Sequence, residues 1–327
     1  MNQDTKMSIK IKNENNKYLY GKENTDYAVN LMLSLNSMAP YLSGSQLKKL
    51  KSDLQIENSE FDEPKYLQAA CETTVCASIA KLYPSTFHYE HKVNPPKDVD
   101  CAFSFENFKF NIEIKCPDFT RDEEIDNSNS FRIGVFGRLD EYQSIYENTA
   151  LLFNSEEKPL LKKLHMDNKL KDFLISAHGK FNSNSGNDVL NVLWVCCDTA
   201  MDIQDWFFYM YGSKGLFMND SYHPQAEYEN VDVVVLSNLY HRHKNYWEKE
   251  VIAEHWSLGS SFNLIFSNTK HRINKAEAIW KFVDAIPNHS RALMDYKLKG
   301  VFEHLRITEF VSEELSKHGK HYFQPNI

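Results

Sequence analysis

Long apolar runs are missing from this chain of 327 residues, although 42% of its residues are hydrophobic. No stretch is long enough to span a bilayer, and the Asn- and Lys-rich amino terminus lacks the apolar core of a secretory signal. We therefore expect a cytoplasmic protein that does not bind membranes. The length allows one large or two modest globular domains with a substantial core.

Motifs for soft metals are also missing. The sequence contains no Cys-X-X-Cys and no His-Glu-X-X-His. Its cysteines fall in apolar or strand-like runs without the spacing of a disulfide framework, which favours buried free thiols over bridges or metal ligands. They are the six residues at positions 71, 76, 101, 116, 196 and 197.

Positive charge is scarce, since 37 Lys and Arg face 45 Asp and Glu for a formal net charge of −8. Phosphate contacts supply most non-specific affinity for nucleic acid, but local clusters of charge matter more than the total. One basic strip falls on a predicted helix from about 159 to 178, and its side chains either contact DNA or keep that helix face solvated. The strip comprises Lys158, Lys162, Lys163, Lys169, Lys171 and Lys180.

Two alternating apolar segments, residues 99–105 and 108–114, predict a β-hairpin. With Glu106-Asn107 as a two-residue turn, Phe105 pairs with Phe108 and Val99 with Ile114, so one face is entirely apolar.

The opposite face of this hairpin would set Asp100 directly against Glu113. Opposed like charges destabilise paired strands and folding does not require them, whereas a divalent cation between them would remove the repulsion. Lys115 lies on the same face, and a slip of one residue would move Asp100 among the phenylalanines. Asp98 shares this face as an alternative ligand. A solvated strand face with surface ion pairs is the simpler alternative.

A helix and a strand are expected before the hairpin. The apolar stripe of residues 63–83 predicts a helix, and Pro64 suits its first turn. Residues 86–91 then predict a strand. Glu72 lies off the apolar stripe of the helix, as a solvated side chain would.

Asp100 followed by Glu113-Ile114-Lys115 on an apolar strand resembles the PD-(D/E)XK nuclease superfamily, which has the restriction-endonuclease-like fold. The order of helix, strand and hairpin agrees with that family. The resemblance covers roughly residues 60–118, and it departs from the family where Val99 replaces the proline before Asp100.

The resemblance implies a metal-dependent nuclease that hydrolyses DNA or RNA. Asp100, Glu113 and the Ile114 carbonyl would bind Mg²⁺ or Mn²⁺, and hard oxygen ligands favour magnesium over zinc. Lys115 would orient or deprotonate the attacking water, because neighbouring cations depress an ammonium pKa. Glu72 matches the acid that the family's first helix directs at the metals. A binding or assembly protein without turnover, on the same fold, is the alternative.

Buried runs at 189–198, 231–236 and 262–266 predict further strands, so we expect an α/β fold with a mixed central sheet flanked by helices. We divide the chain into a helical extension (1–60), a nuclease-like core (61–270) and a C-terminal helical segment (271–327). The extension carries helix-like runs at 26–37 and 45–53, and residues 131–138 suggest a half-buried strand.

Three histidines form a competing metal candidate, although a polar loop is the favoured interpretation of that region. They are His241, His243 and His255.

The terminal helices are expected to pack on the core or on a second copy of the chain. By fold-level analogy and Asn/Lys-rich composition, we expect a bacterial defence or mobile-element nuclease that works on nucleic acid with a partner protein.

Overall fold

The computed structural model describes residues 11–119, 125, 127–135, 141–153, 158–164, 166–181, 185–247, 254–297 and 305–318. In chain order its strands are β1 (His88–Asn94), β2 (Lys97–Phe105), β3 (Phe108–Lys115), β4 (Phe131–Val135), β5 (Leu160–Leu164), β6 (Val189–Cys196), β7 (Val233–Ser237) and β8 (Asn263–Ser267).

The helices surround these strands. They are α1 (Asp26–Met38), α2 (Gly44–Asp53), α3 (Glu63–Leu82), α4 (Tyr142–Phe153), α5 (Asp167–His178), α6 (Ala200–Tyr211), α7 (Leu239–Lys244), α8 (Ala276–Ala285), α9 (Ser290–Asp295) and α10 (Arg306–His318). Among the described helices, none combines the length and apolar character that a membrane span requires.

Six strands form the central sheet in the order β1-β2-β3-β6-β7-β8, while β4 and β5 pair separately. The first three strands are antiparallel, β6 and β7 run parallel to β3, and β8 is antiparallel. This confirms the expected α/β class with a mixed sheet flanked by helices. Because β3, β6 and β7 are parallel, their carboxyl ends lie at one edge of the sheet, where α/β proteins usually place ligand-binding groups.

The β2–β3 hairpin has the register that the sequence predicts. Phe105 pairs with Phe108 and Cys101 with Ile112, and Glu106 in the two-residue turn has a positive φ of 52°. Positive φ is typical of the tight turns that match the twist of a hairpin.

The prediction for Val99 is wrong. Val99 packs in a different core cluster from Cys101 and Ile114, so β2 changes the face that it presents around Asp100. The paired register ends at Cys101–Ile112, so the predicted direct pairing of Asp100 with Glu113 is not formed. Next to this last pair, the Asp100 carboxylate accepts a hydrogen bond from the Ile114 amide. A bond from backbone to side chain therefore takes the place of a backbone–backbone bond between the strands.

Helices cover both faces of the sheet, and each face has its own hydrophobic cluster. One cluster contains residues of α1, α3 and α8, and the other contains residues of α5, α6 and α10. The α3 helix is fixed at its start by the Asp62 carboxylate, which accepts from the Lys65 amide, with Pro64 in the first turn. The N-terminal extension therefore shares a core with the central sheet, and the terminal helix α10 packs on that sheet's other face.

The helix predicted from 159 to 178 is only partly correct. Residues 160–164 form β5, parallel to β4, and the helix begins at Asp167. The separate β4–β5 sheet is unpredictable from local pattern, because Leu160 and Leu161 fit a helix face as well as a short strand. Of the strand suggested at 131–138, residues 131–135 form β4, and residues 136–138 lie outside the described residues.

Candidate functional site

The hairpin brings the two sequence-predicted carboxylates to the same region. Glu113 is fully buried near the carboxyl end of β3, and Asp100 is half-buried on β2. The Asp100 Oδ2 atom lies 2.5 Å from the Ile114 amide nitrogen. This charge-assisted hydrogen bond fixes the Asp100 carboxylate beside the strand that carries Glu113.

Two lysines converge on Glu113. The ammonium nitrogens of Lys115 and Lys180 lie 2.6 and 2.7 Å from the same atom, Glu113 Oε1. Lys180 comes from the turn after α5, which is distant from the hairpin in the sequence. Glu113 Oε1 is thus paired with two ammonium groups, whereas Oε2 is buried and has no hydrogen-bond partner among the described residues.

Glu72 of α3 completes the arrangement. Its Oε1 accepts a hydrogen bond of 2.9 Å from Gln68. Burial raises the pKa of Glu72 well above its usual range, and the negative charge of Asp100 raises it further. We call these three acids with Lys115 and Lys180 the acid site. The structure thus brings together the four side chains that the sequence predicted, and it adds Lys180.

The pKa values of Asp100 and Lys115 are both raised, which favours the neutral form of the acid and the charged form of the amine. Burial raises the pKa of Asp100 to about 7, helped by the charge of Glu113 and opposed by the Ile114 amide and the two lysines. Burial lowers the pKa of Lys115, but the Glu113 carboxylate and then Asp100 outweigh it, so the net shift is upward. Without a bound cation Lys115 is therefore held as an ammonium, and the depression of its pKa by a neighbouring cation stays a prediction.

The acid site lies at the side of a polar cleft of about 890 Å³. Glu72, Asp100, Lys115 and Lys180 line it, and Glu113 is buried beneath them. The rest of the lining comes from α2, from the loop that follows it and from the first turns of α3. It includes Lys49, Ser52, Asp53, Asn58, Glu60, Asp62 and Lys65.

Sequence reasoning missed two parts of this cleft. The sequence predicts Lys180 as part of a basic strip and α2 as part of the helical extension, because neither segment carries a local signal that links it to the hairpin. Of that strip, Lys158, Lys162 and Lys169 lie over aromatic rings at 4.5, 5.7 and 5.2 Å from the ring centres. Lys180 is the member that lines the cleft.

Within the described residues, His241, His243 and His255 are not gathered into a metal site. The His-X-His segment lies in the helix α7 rather than in the predicted polar loop, and His243 is fully buried with its ring nitrogens 3.0 Å from the Tyr27 hydroxyl and 2.8 Å from that of Thr74. The His241 Nδ1 atom contacts the Asp198 carbonyl at 2.6 Å. The two imidazole rings thus bond to different partners, and hydrogen bonding of buried polar groups accounts for both histidines.

His255 gives a prediction about stability and pH. Burial, together with the positive charge of Arg242, lowers its pKa to about 3. Between pH 6.5 and about 3 the unfolded chain binds a proton at this residue that the folded chain does not, so acid reduces the free energy of unfolding. His255→Phe keeps a ring against Tyr27, whose centre is 5.2 Å away. Urea unfolding from pH 7 to 4 is expected to show a shallower decline for the variant, by up to ~1.4 kcal/mol per pH unit. Parallel declines would contradict the assignment.

All six cysteines are free thiols, five buried and Cys116 half-buried. In the described part of the chain, one group of three or more potential ligands has its ligand atoms all within 4.8 Å of one another, namely Cys71, Cys116 and Cys196. The carboxylates of the acid site are spread more widely than this. Burial raises the pKa of Cys71 and of Cys196 well above the usual range.

Comparison with protein-family models, with curated proteins and with solved structures finds no match to this chain. The interpretation of the cleft therefore depends on its own geometry and chemistry.

Proposed function

We propose that this chain is a metal-dependent nuclease that hydrolyses phosphodiester bonds of DNA or RNA in the cleft. One observation carries the proposal: Asp100, Glu113, Lys115 and Glu72, predicted from the sequence as a set, come from two strands and a helix to meet at one cleft. Packing alone gives no reason to bury Glu113 beside a second carboxylate.

The order of elements supports a restriction-endonuclease-like core. Helix α3 is followed by β1, β2 and β3, then by α5 and β6. This is the helix, strand and hairpin order that motivated the resemblance, and α5 occupies the expected position of a second core helix. The β4–α4–β5 unit is inserted between β3 and α5.

The residues fit a hard divalent cation. The Oε2 atom of Glu113 is buried without a hydrogen-bond partner among the described residues, and oxygen atoms are what Mg²⁺ and Mn²⁺ prefer. Asp100, Glu113 and the Ile114 carbonyl would hold the ion. When bound, it would neutralise phosphoryl oxygens and lower the pKa of a bound water.

The other side chains of the cleft would bind the substrate and orient the attacking water. Lys115, beside Glu113, would orient or deprotonate the attacking water. Lys49 and Lys65 also line the cleft, and they would contact neighbouring phosphates in exchange for their ion pairs with Glu90 and Asp62. Glu72 would hold the outer ligands of the ion.

The test is cleavage of labelled DNA and RNA by the purified chain, with Mg²⁺ or Mn²⁺ against EDTA. Asp100→Asn is the sharpest variant, because an amide oxygen can still accept from the Ile114 amide but carries no charge. We expect cleavage to fall by more than the ~10–100-fold that loss of an outer-shell partner costs. Stability without metal is expected to be unchanged or higher, since repulsion with Glu113 is removed. Unaltered cleavage in this variant would refute the site.

A binding or assembly protein on the same fold is the second candidate. The observation that favours it is that Lys115 and Lys180 already neutralise Glu113. In that case Mg²⁺ would not raise the thermal midpoint, and Glu113→Ala would leave partner binding intact. The bacterial defence or mobile-element setting, the protein partner, the cytoplasmic location and a homodimer stay predictions.

A further inference from the structure

Three thiols from three separate elements meet beside the acid site. Cys71 belongs to α3, Cys116 follows β3 directly, and Cys196 ends β6. Their sulfur atoms all lie within 4.8 Å of one another. We call these residues the thiol cluster.

The spacing suits a cation at the centre of the triangle. With metal–sulfur bonds of about 2.3 Å, three sulfurs in a plane around an ion are about 4.0 Å apart. A disulfide would use only two of these thiols, and packing has no need to gather three. Thiolate sulfur selects soft ions such as Zn²⁺ and Cu⁺ over Mg²⁺.

The thiol cluster lies where a bound ion would stabilise the acid site. Cys71 directly precedes Glu72, and Cys116 directly follows Lys115. An ion on the three sulfurs would therefore tie α3 to β3 and β6 at the residues next to the acid site. Metals often stabilise a fold by linking elements that are distant in the chain.

We propose that Cys71, Cys116 and Cys196 bind one soft cation, Zn²⁺ or Cu⁺, as a structural site separate from the Mg²⁺ ligands. A fourth His, Asp or Glu ligand does not join the group within the described residues. Cu⁺ is satisfied by three thiolates, whereas Zn²⁺ would complete its tetrahedron with a water molecule.

The test measures metal directly and does not depend on nuclease activity. The 327-residue chain is produced with added zinc or copper, purified under reducing conditions and desalted, and its metal content is determined by elemental analysis. We expect about one ion per chain, with the element itself distinguishing Zn²⁺ from Cu⁺. Titration of the metal-free protein with Cd²⁺ is expected to produce the ultraviolet charge-transfer band of thiolate–cadmium bonds.

Neighbouring cysteines provide matched controls. Cys196→Ala is expected to lower the affinity for Cd²⁺ by more than 100-fold, beyond the ~10–100-fold effect of an outer-shell partner. Cys197→Ala is the control, because Cys197 is equally buried but belongs to the cluster on the other face of the sheet. Cys116→Ser, at the half-buried position, serves as the second variant if Cys196→Ala does not fold.

Two results would overturn the proposal. The first is reduced wild-type protein that retains neither zinc nor copper and gives no charge-transfer band with Cd²⁺. The second is equal Cd²⁺ affinity in Cys116→Ser, Cys197→Ala and wild type. Either result leaves the nuclease proposal unaffected, since the acid site uses none of these sulfurs.

Discussion

Lys115→Ala is expected to abolish cation-dependent cleavage while the protein stays folded. Positioned groups that act on the attacking water contribute about 10²–10⁴-fold, so we expect a loss in this range or greater. Lys180 would remain 2.7 Å from Glu113 and keep the buried carboxylate paired. The thermal midpoint is therefore expected near that of wild type, which separates a chemical role from a structural one.

Lys109→Ala is the matched control for this experiment. Lys109 lies on the same strand and on the same face as Lys115, and its ammonium contacts His91 at 2.9 Å outside the cleft. Both variants remove one lysine from β3 and change the net charge equally. Comparable losses of cleavage in both variants would show that charge, and not position, matters. Full activity in Lys115→Ala would reject the assignment of the acid site.

The largest loss of stability is expected from Asp232→Ala. The Asp232 carboxylate lies 2.8 Å from the Lys275 ammonium, and their side chains are only 2% and 7% exposed. The same carboxylate accepts from the Asn191 amide at 2.8 Å, so it links β6 to the start of α8. Removing one partner of a buried pair leaves an uncompensated charge and typically costs about 3–5 kcal/mol.

Glu229→Ala is the control for that measurement. Glu229, three residues before Asp232 in the chain, pairs with Lys270, but these side chains are 41% and 44% exposed. Exposed ion pairs contribute about 0–1 kcal/mol because water and salt screen them. Urea unfolding of both variants is expected to show the large decrease only for Asp232→Ala. Equal, small decreases would mean that the pair is solvated in solution.

The hairpin and its acidic pair could be predicted because alternating apolar residues leave a single register that buries the phenylalanines. Helix α3 was predictable for a similar reason, since its cap and its apolar stripe are local signals. The face on which Val99 lies was not, because a change of face at Asp100 depends on the hydrogen bond from Ile114, which belongs to the tertiary structure.

Lys180 and the helix α7 show a second limit of sequence reasoning. Lys180 is 65 positions beyond Lys115, and only the packing of α5 on the sheet brings the two ammonium groups to one oxygen atom. In α7 the His-X-His pattern resembles a polar loop, yet Tyr27 and Thr74 supply buried hydroxyl partners for His243. Partners from distant segments decide the conformation in both cases.

The turn at Glu106 and Asn107 has a consequence for how this protein tolerates change. It is at the surface, where inserted residues are normally accepted, and Lys281 pairs with Glu106 at 2.7 Å. A shift of the β2–β3 pairing by one residue would turn every side chain of β2 to the other face and carry Asp100 away from Glu113. The register that begins at an exposed turn is thus tied to the chemistry of a buried pair, and an inserted residue keeps the acid site where a longer loop absorbs it.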